Sequence, residues 1–253
     1  MIKSKKLSKF SEIEHSFFSR LGGKSNGIYK GLSCAPGSSD DKKNISKNII
    51  LVQKKIKSGL NKIVLLNQIH SNKFFYIDKT SKLNHKKFTG DALVTNKSNT
   101  PIAVLTADCA PILIFDNNKK TIAAIHAGWK GAYNEIIKKV IKFMIKKGSS
   151  AKDIIAVVGP CISINNYEVK QDFIKKFIKK DPKTKVFFKK VRNKNYFDLS
   201  KYITHQLKSL NVKKIEVINK DTFDTKNNFF SARRSISRNE NDYGRNISVI
   251  MIN

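Results

Sequence analysis

Cysteine, acidic residues and long apolar runs are all scarce in this sequence of 253 residues. The three cysteines, Cys34, Cys109 and Cys161, are an odd number, and the first residues lack the apolar core of a signal peptide. We therefore expect free thiols or metal ligation instead of a disulfide framework. Apolar runs are interrupted well before the roughly 18 residues that a membrane-spanning helix needs. The sequence predicts a soluble, cytoplasmic protein without membrane association.

The scarcity of acidic residues leaves a strong positive charge, with 50 basic against 19 acidic side chains and a formal net charge of +31. Such a charge is common in proteins that bind nucleic acids or anionic membranes. Here lysine supplies most of the charge and is spread over all the predicted helices and loops, whereas specific readers of nucleic acids favour arginine and aromatic platforms. We interpret the lysines as a solvated surface and expect neither a specific nucleic-acid partner nor an obligate protein partner.

The apolar pattern predicts an alternation of helices and short strands. Apolar residues recur at helical spacing in four segments, at about residues 42–59, 134–147, 171–179 and 198–210. Short apolar runs bounded by turn residues predict strands at residues 63–66, 74–77, 92–95, 102–107, 112–115, 122–126, 154–158, 186–188, 215–218 and 247–252. We predict an α/β (α+β) fold, a single-domain layered sandwich over residues 15–253 with a mixed β-sheet and helices on its outer faces. Residues 1–14 are expected to form a partly loose lead-in.

Polar side chains interrupt or end three of the strand-like runs. His70 follows one run, Cys109 lies between two, and His126 ends another. Imidazole and thiolate suit zinc, and three protein ligands leave a fourth position for water or substrate. Zinc would lower the pKa of its bound water and so supply a nucleophile. Asp108 and Gln68 neighbour these residues and are candidates to orient a ligand histidine or to transfer a proton. Gln68 is also a candidate to bind substrate or phosphate.

Two other interpretations of these residues stay open on the spacing alone. Taken singly, each histidine is typical of a hydrogen-bonded core residue, and Cys109 of a small buried hydrophobe. Cys109 with either histidine could also form a thiolate–imidazole pair for acyl transfer, which would make the protein a cysteine hydrolase. The second histidine, as a third ligand, favours the metal site.

Several segments resemble the successive motifs of one known family. These segments read NQIH (67–70), GDALVT (90–95), LTADCAPI (105–112), HAGWKG (126–131) and GPCI (159–162). They are similar to those of the family long known as laccase-domain or polyphenol oxidase proteins and later recast as purine nucleoside phosphorylases with adenosine deaminase activity. The resemblance extends from residues 17–23 to residues 229–234 and so covers nearly the whole chain.

This resemblance implies a single-domain α/β sandwich with a zinc ion held by His70, Cys109 and His126. It also implies that purine nucleosides and inorganic phosphate are the substrates. The expected reactions are phosphorolysis of adenosine, inosine, guanosine and methylthioadenosine, and deamination of adenosine, to which a zinc-bound water is suited. The older family name implies a copper-dependent polyphenol oxidase, which would need more ligands than one such set offers.

Phosphorolysis also requires an anion pocket. Guanidinium groups are favoured where a phosphate is held in fixed geometry. The candidates are basic residues that adjoin the matched segments, namely Arg20, Lys130, Arg233 and Arg234.

Overall fold

The computed structural model describes residues 1–78, 80–81 and 88–253. Its α-helices are α1 (Lys42–Lys55), α2 (Trp129–Tyr133), α3 (Ile136–Lys146), α4 (Gln171–Lys180), α5 (Leu199–Ser209) and α6 (Ala232–Ser237). Its strands are β1 (Ile13–Phe17), β2 (Leu66–Asn67), β3 (Phe74–Ile77), β4 (Phe88–Thr89), β5 (Ala92–Thr95), β6 (Ile102–Thr106), β7 (Ala110–Asp116), β8 (Thr121–Ala127), β9 (Ile154–Val158), β10 (Glu168–Val169), β11 (Phe188–Val191), β12 (Lys194–Phe197), β13 (Lys214–Val217) and β14 (Asn246–Ile252). Within these ranges, every helix is too short or too polar to cross a membrane.

A mixed sheet of six strands lies at the centre, in the order β13-β9-β7-β8-β5-β3. Its outer pairs, β13 with β9 and β5 with β3, are parallel, and the inner pairs are antiparallel. A second sheet of three antiparallel strands has the order β1-β14-β6. The inner strands of the large sheet are buried on both faces, which explains why their sequences are continuous apolar runs.

Alternate residues along the strands fill three separate cores, and these cores define the layers. In β7, Ile112 and Ile114 face a core that α3 and α5 cover, whereas Leu113 and Phe115 face the core shared with the three-stranded sheet. The far side of that second sheet, including Leu105 of β6, packs on α1. The layers therefore run helix, sheet, sheet, helix. This arrangement confirms the predicted layered sandwich with a mixed sheet and outer helices.

The two sheets pack closely at Gly159, so we expect any side chain at this position to lower the stability of the fold. A Cβ built on Gly159 would lie 2.2 Å from Cε1 of Phe17 and 2.9 Å from Cγ of Pro111. Since Phe17 is itself fully buried, the ring has little room to move. We expect Gly159→Ala to lower the free energy of unfolding by about 1–3 kcal/mol, the usual cost of overpacking. Urea denaturation measures the change.

A compensating substitution provides the control for this prediction. Phe17→Leu removes Cε1, the atom nearest to a Cβ at position 159, and leaves a smaller side chain that can rotate away from it. The double variant is therefore expected to lose less stability than the sum of the two single variants, by about 1 kcal/mol. Strict additivity would show that the contact between these two residues does not limit the packing.

The N-terminal residues differ from the loose lead-in that the sequence predicts for residues 1–14. Leu7 is fully buried in the core between the sheets, and β1 begins at Ile13. The backbone amides of Lys5 and Lys6 donate hydrogen bonds to the carboxylate of Glu216 at 3.0 and 2.8 Å. The lysine-rich composition suggested an unstructured stretch, but the backbone of Lys5 and Lys6 is held by hydrogen bonds to Glu216.

Left-handed backbone conformations account for several differences at element ends. The helix predicted over residues 42–59 ends at Lys55, because Lys57 has a φ of 54°. The helix predicted over residues 134–147 is α3, which begins at Ile136 because Glu135 has a φ of 64°. The short helix α2, which precedes it, was not predicted.

Two further segments also differ from prediction. Residues 186–188 were expected to be extended, but the 3-10 helix Pro182–Phe187 covers most of them and β11 begins at Phe188. In the strand expected over residues 63–66, only Leu66 belongs to β2, while Val64 forms an isolated bridge.

Candidate metal centre

Three potential metal ligands from different elements meet beside one end of the central sheet. His126 is the next-to-last residue of β8, Cys109 lies in the turn between β6 and β7, and His70 lies in the loop after β2. Their candidate ligand atoms all lie within 4.8 Å of one another. Among the residues that the structure describes, this is the one such group of three His, Cys, Asp or Glu side chains. Folding thus brings together the set that the sequence singled out.

The strand register explains why Cys109 and His126 are neighbours. Ala110 at the start of β7 pairs with Ala127 at the end of β8, and the strands run antiparallel. Cys109 directly precedes β7, so it lies opposite the residue that follows β8, which is Gly128. The sequence therefore places the cysteine at the end of β8 through ordinary strand pairing.

Gly128 has no side chain, and the side chains of Cys109 and His70 occupy the space that a Cβ at this position would need. A Cβ built on Gly128 would lie 2.7 Å from Sγ of Cys109 and 3.1 Å from Cδ2 of His70. The backbone of Gly128 has φ −73° and ψ 172°, a conformation open to any residue. The need for glycine here is therefore steric and comes from the ligand side chains themselves.

A fully buried carboxylate, Asp91, holds two of the three ligands. One oxygen, Oδ1, lies 2.8 Å from Nδ1 of His126 and accepts a hydrogen bond from the backbone amide of His70 at 3.0 Å. The other oxygen accepts hydrogen bonds from the amide and hydroxyl of Ser71 at 2.6 and 2.7 Å. Because Asp91 occupies Nδ1 of His126, Nε2 is left available to a metal. The backbone bond also stabilises the left-handed conformation of His70, whose φ is 57°.

Gln68 fixes the loop that carries His70. Its side-chain amide donates to the carbonyl of Leu105 at 2.8 Å, and its carbonyl accepts from the amide of Leu105 at 2.7 Å. These two bonds extend the edge of β6 much as another strand would. The sequence suggested that Gln68 orients a histidine or transfers a proton; its hydrogen bonds hold the loop of His70 through backbone contacts.

Asp108 is anchored to the C-terminal part of the chain. Its carboxylate accepts hydrogen bonds from the hydroxyls of Thr222 and Ser231 at 2.7 and 2.9 Å and from the amide of Arg233 at 2.6 Å. Burial raises the pKa of Asp108, and these hydrogen bonds oppose the rise. Within the described residues, neither histidine is among its hydrogen-bond partners. Asp108 therefore joins the turn of Cys109 to the start of α6, a helix that the sequence did not predict.

Two of the four basic residues predicted to bind phosphate have guanidinium groups that bind backbone carbonyls. Arg234 is buried and donates to the carbonyls of Thr222 and Phe223, both at 2.8 Å. Arg20 donates to the carbonyl of Lys30 from Nε at 3.1 Å and from Nη2 at 2.8 Å. Their geometry is that of structural anchors.

The other two predicted phosphate ligands contact aromatic rings. The guanidinium of Arg233 lies 5.5 Å from the ring centre of Tyr167 and donates to the carbonyl of Glu168 at 3.0 Å. Lys130 is exposed, with its ammonium 5.7 Å from the ring centre of Trp129.

A cavity of about 560 Å³ opens beside the cluster, and His70, Cys109 and His126 line it. Its apolar wall is formed by Ala35, Pro36, Leu65, Leu66, Leu105 and Ala107. Its polar side includes Tyr243 and Arg245. The described lining contains none of the four basic residues predicted to bind phosphate. A mostly apolar cavity with a few polar groups is typical of a small-molecule site.

The cluster favours a charged thiolate. Burial acts to raise the pKa of Cys109, but the charge of His126 and hydrogen bonds from both histidines lower it to about 7. Burial acts to lower the pKa of His126, while Cys109 and Asp91 raise it. The hydrogen bonds that Asp91 receives outweigh its burial and hold its pKa below the ordinary value. Thiolate is the form of cysteine that binds metal ions.

These side chains fit a tetrahedral zinc ion. Zinc lies about 2.3 Å from thiolate sulfur and about 2.0–2.1 Å from imidazole nitrogen, which puts the two donors about 3.6 Å apart at the tetrahedral angle. The observed separation between Sγ of Cys109 and Nε2 of His70 is 3.7 Å. The carboxylate behind His126 completes the arrangement common at histidine-ligated metals.

Comparison with known proteins agrees with the fold and with the family that the sequence resembles. Residues 14–253 match the family described as multi-copper polyphenol oxidoreductase laccase. The chain belongs to this family. The family resemblance predicted from the sequence is therefore confirmed. Within the laccase family, a solved structure, Neisseria meningitidis protein NMB0706 (family-model DUF152), is 27% identical with a TM-score of 0.85, covering 96% of this chain and 95% of that one.

Curated relatives of this laccase-family chain carry a different kind of name. Purine nucleoside phosphorylase RC0672 of Rickettsia conorii is 37% identical over 187 residues, which are 73% of this chain and 75% of the relative. A purine nucleoside phosphorylase of Bacteroides thetaiotaomicron is 30% identical over 264 aligned residues, covering 100% of this chain and 96% of the relative.

Four residues of the site were given no role from the sequence: Asp91, Gly128, Tyr243 and Arg245. The signal for Asp91 was an acidic residue directly before the buried strand β5. The other three depend on which segments meet in space, and the sequence contains no local sign of that.

Proposed function

We propose that the chain is a zinc-dependent purine nucleoside phosphorylase of the cytoplasm. Its proposed substrates are adenosine, inosine, guanosine and methylthioadenosine with inorganic phosphate, and it also deaminates adenosine. The cluster of His70, Cys109 and His126 at the wall of an open cavity carries this proposal. The names of the curated relatives support the substrate class.

The residues of the chain have distinct parts in this chemistry. His70, Cys109 and His126 would hold the ion, and bound zinc supplies Lewis-acid chemistry. Asp91 keeps the ring of His126 in the orientation and tautomer that expose Nε2. The apolar wall of the cavity favours a flat purine base and limits the access of water to it.

A copper-dependent polyphenol oxidase is the second candidate, because the family description names that activity. Multi-copper oxidation needs several metal centres. The described residues supply one group of three ligands. Of the other three histidines, His15 is buried and accepts a hydrogen bond from the amide of Ser4, His205 is exposed on α5, and His85 lies outside the described residues. We therefore rank this activity second.

A cysteine hydrolase is the third candidate. The distance of 3.7 Å between Cys109 and His70 and the lowered pKa of the thiol suit a nucleophile. A cysteine hydrolase would stay active without metal, since a thiol nucleophile needs none, whereas the leading proposal requires zinc.

Metal analysis combined with product analysis separates these candidates. Protein purified without added metal is expected to contain about one zinc per chain. Inosine with phosphate should give hypoxanthine and ribose 1-phosphate, and adenosine without phosphate should give inosine. Cys109→Ala should lose the zinc and reduce both activities by at least about 1000-fold, because a three-ligand site lacks one ligand. Cys34→Ala, which removes a buried thiol outside the cluster, should keep both.

The contrary results are equally specific. Zinc-loaded protein that converts no nucleoside would overturn the proposal. Metal-free protein that hydrolyses an ester through Cys109 would favour the hydrolase. Copper-loaded, zinc-free protein that oxidises phenols would favour the oxidase.

A further inference from the structure

Arg245 stands out among the polar residues of the cavity. It directly precedes β14, its side chain is 27% exposed, and it lines the same cavity as the metal cluster. Among the described lining residues it is the one that carries a guanidinium group. A cavity of about 560 Å³ has room for a nucleoside and a small anion together.

Neighbouring groups hold the guanidinium of Arg245 in place without using all of its hydrogen-bond donors. Its carbon lies 4.5 Å from the ring centre of Tyr243, and Nη1 donates to the carbonyl of Tyr243 at 3.0 Å. Its contacts with Asp242 are 3.5 Å long, at the limit of a hydrogen bond. Within the described residues, Nε has no hydrogen-bond partner. Arg245 therefore keeps strong donors for a ligand, unlike Arg234, whose bonds to carbonyls are 2.8 Å.

The nearby carboxylate of Asp242 is shared with other groups. Its other oxygen accepts hydrogen bonds from the hydroxyl of Tyr29 at 2.7 Å and from the amide of Ser39 at 2.9 Å. These shorter bonds hold the carboxylate of Asp242 toward Tyr29 and Ser39. Asp242 thus orients Arg245 and balances only part of its charge.

We propose that Arg245 binds the inorganic phosphate that attacks the nucleoside, with Tyr243 supporting the guanidinium from behind. A planar guanidinium offers paired donors to two phosphate oxygens. In the reaction, a phosphate oxygen forms a bond to C1′ of the ribose while the bond from C1′ to the purine nitrogen breaks. The electron pair leaves with the purine, which takes up the proton that dihydrogen phosphate gives up. This assignment rests on the proposed function and replaces the four basic residues expected from the sequence.

Steady-state kinetics of zinc-loaded variants tests the assignment. Arg245→Met is expected to raise the KM for phosphate by at least about 10-fold while the KM for inosine changes less than about 2-fold. Arg245→Lys should recover part of the loss, since it keeps the charge and loses the paired donors. Adenosine deamination, which uses no phosphate, should fall much less in Arg245→Met than phosphorolysis does. Arg192→Met, on an exposed turn, is the matched control and should change neither KM.

A binding measurement separates failure of this assignment from failure of the proposed function. Isothermal titration with inorganic phosphate reports the contact without any turnover. If wild type binds phosphate and Arg245→Met binds it at least about 10-fold more weakly, the site stands even when no nucleoside is converted. Equal phosphate affinity in both proteins, or a KM for inosine that rises as much as the KM for phosphate, would overturn the assignment. The zinc content of each variant shows that the metal cluster is intact.

Discussion

Zinc affinity is expected to fall by about 100-fold or more in a Gly128→Ala variant, although no ligand is removed. The new methyl group would lie 2.7 Å from Sγ of Cys109 and 3.1 Å from the ring of His70. The backbone at Gly128 already suits alanine, so the fold gains no strain there. The clash is relieved most easily when the two ligand side chains rotate away, and this rotation separates the donor atoms. Activity should fall with the metal content.

Competition with a colorimetric zinc chelator measures this affinity. Gly37→Ala is the control, because a Cβ at Gly37 meets no atom within 4 Å. The control should keep the zinc affinity of wild type, and both variants should keep the thermal midpoint of metal-free wild type within a few degrees. Gly128→Ala protein that binds zinc as tightly as wild type would show that the cluster tolerates the methyl group.

Replacing Asp91 with asparagine is expected to affect both stability and metal binding. Every contact of the Asp91 carboxylate is made to a donor, on His70, Ser71 and His126. An amide nitrogen in place of either oxygen would face at least one of these donors. We expect the free energy of unfolding to fall by about 2–4 kcal/mol and zinc affinity by about 10- to 100-fold.

Urea denaturation of the metal-free protein isolates the effect of Asp91→Asn on folding, and zinc titration gives the effect on the metal. Asp78→Asn is a matched control. Asp78 also accepts hydrogen bonds from neighbouring turn residues, Thr80 and Ser81, but follows β3 at the opposite end of the sheet. A loss of stability with unchanged zinc affinity would mean that Asp91 supports the fold alone and does not position the histidines.

The candidate ligands were visible in the sequence because they violate a local pattern. A histidine or cysteine within a run of buried aliphatic residues needs a reason, and strands bring such residues together at their ends. Asp91 and Gly128 were part of recognisable segments, yet their roles depend on contacts across strands. The phosphate candidates near the motifs, such as Arg234, turned out to bind carbonyls, because the sequence does not show which arginines are buried.

The layers could be predicted from the sequence because apolar periodicity reports directly on burial. Element ends were less predictable, since single residues such as Lys57 and Glu135 adopt left-handed conformations without glycine's signature. The contacts of the N-terminal residues were hard to predict for a related reason. Composition describes side chains, whereas Lys5 and Lys6 are held by their backbone amides.

The turn that carries Cys109 is also the point where the chain leaves one sheet and enters the other, since β6 belongs to the three-stranded sheet and β7 to the six-stranded sheet. The loop of His70 spans the same seam, with Gln68 bound to β6 and the amide of His70 bound to Asp91 beside β5. An ion held here would link the two sheets, because its ligands lie on segments that contact both of them. Any movement of one sheet relative to the other would change the distances between the ion and its ligands. The absorption spectrum of a bound cobalt ion would therefore report such movement within the sandwich.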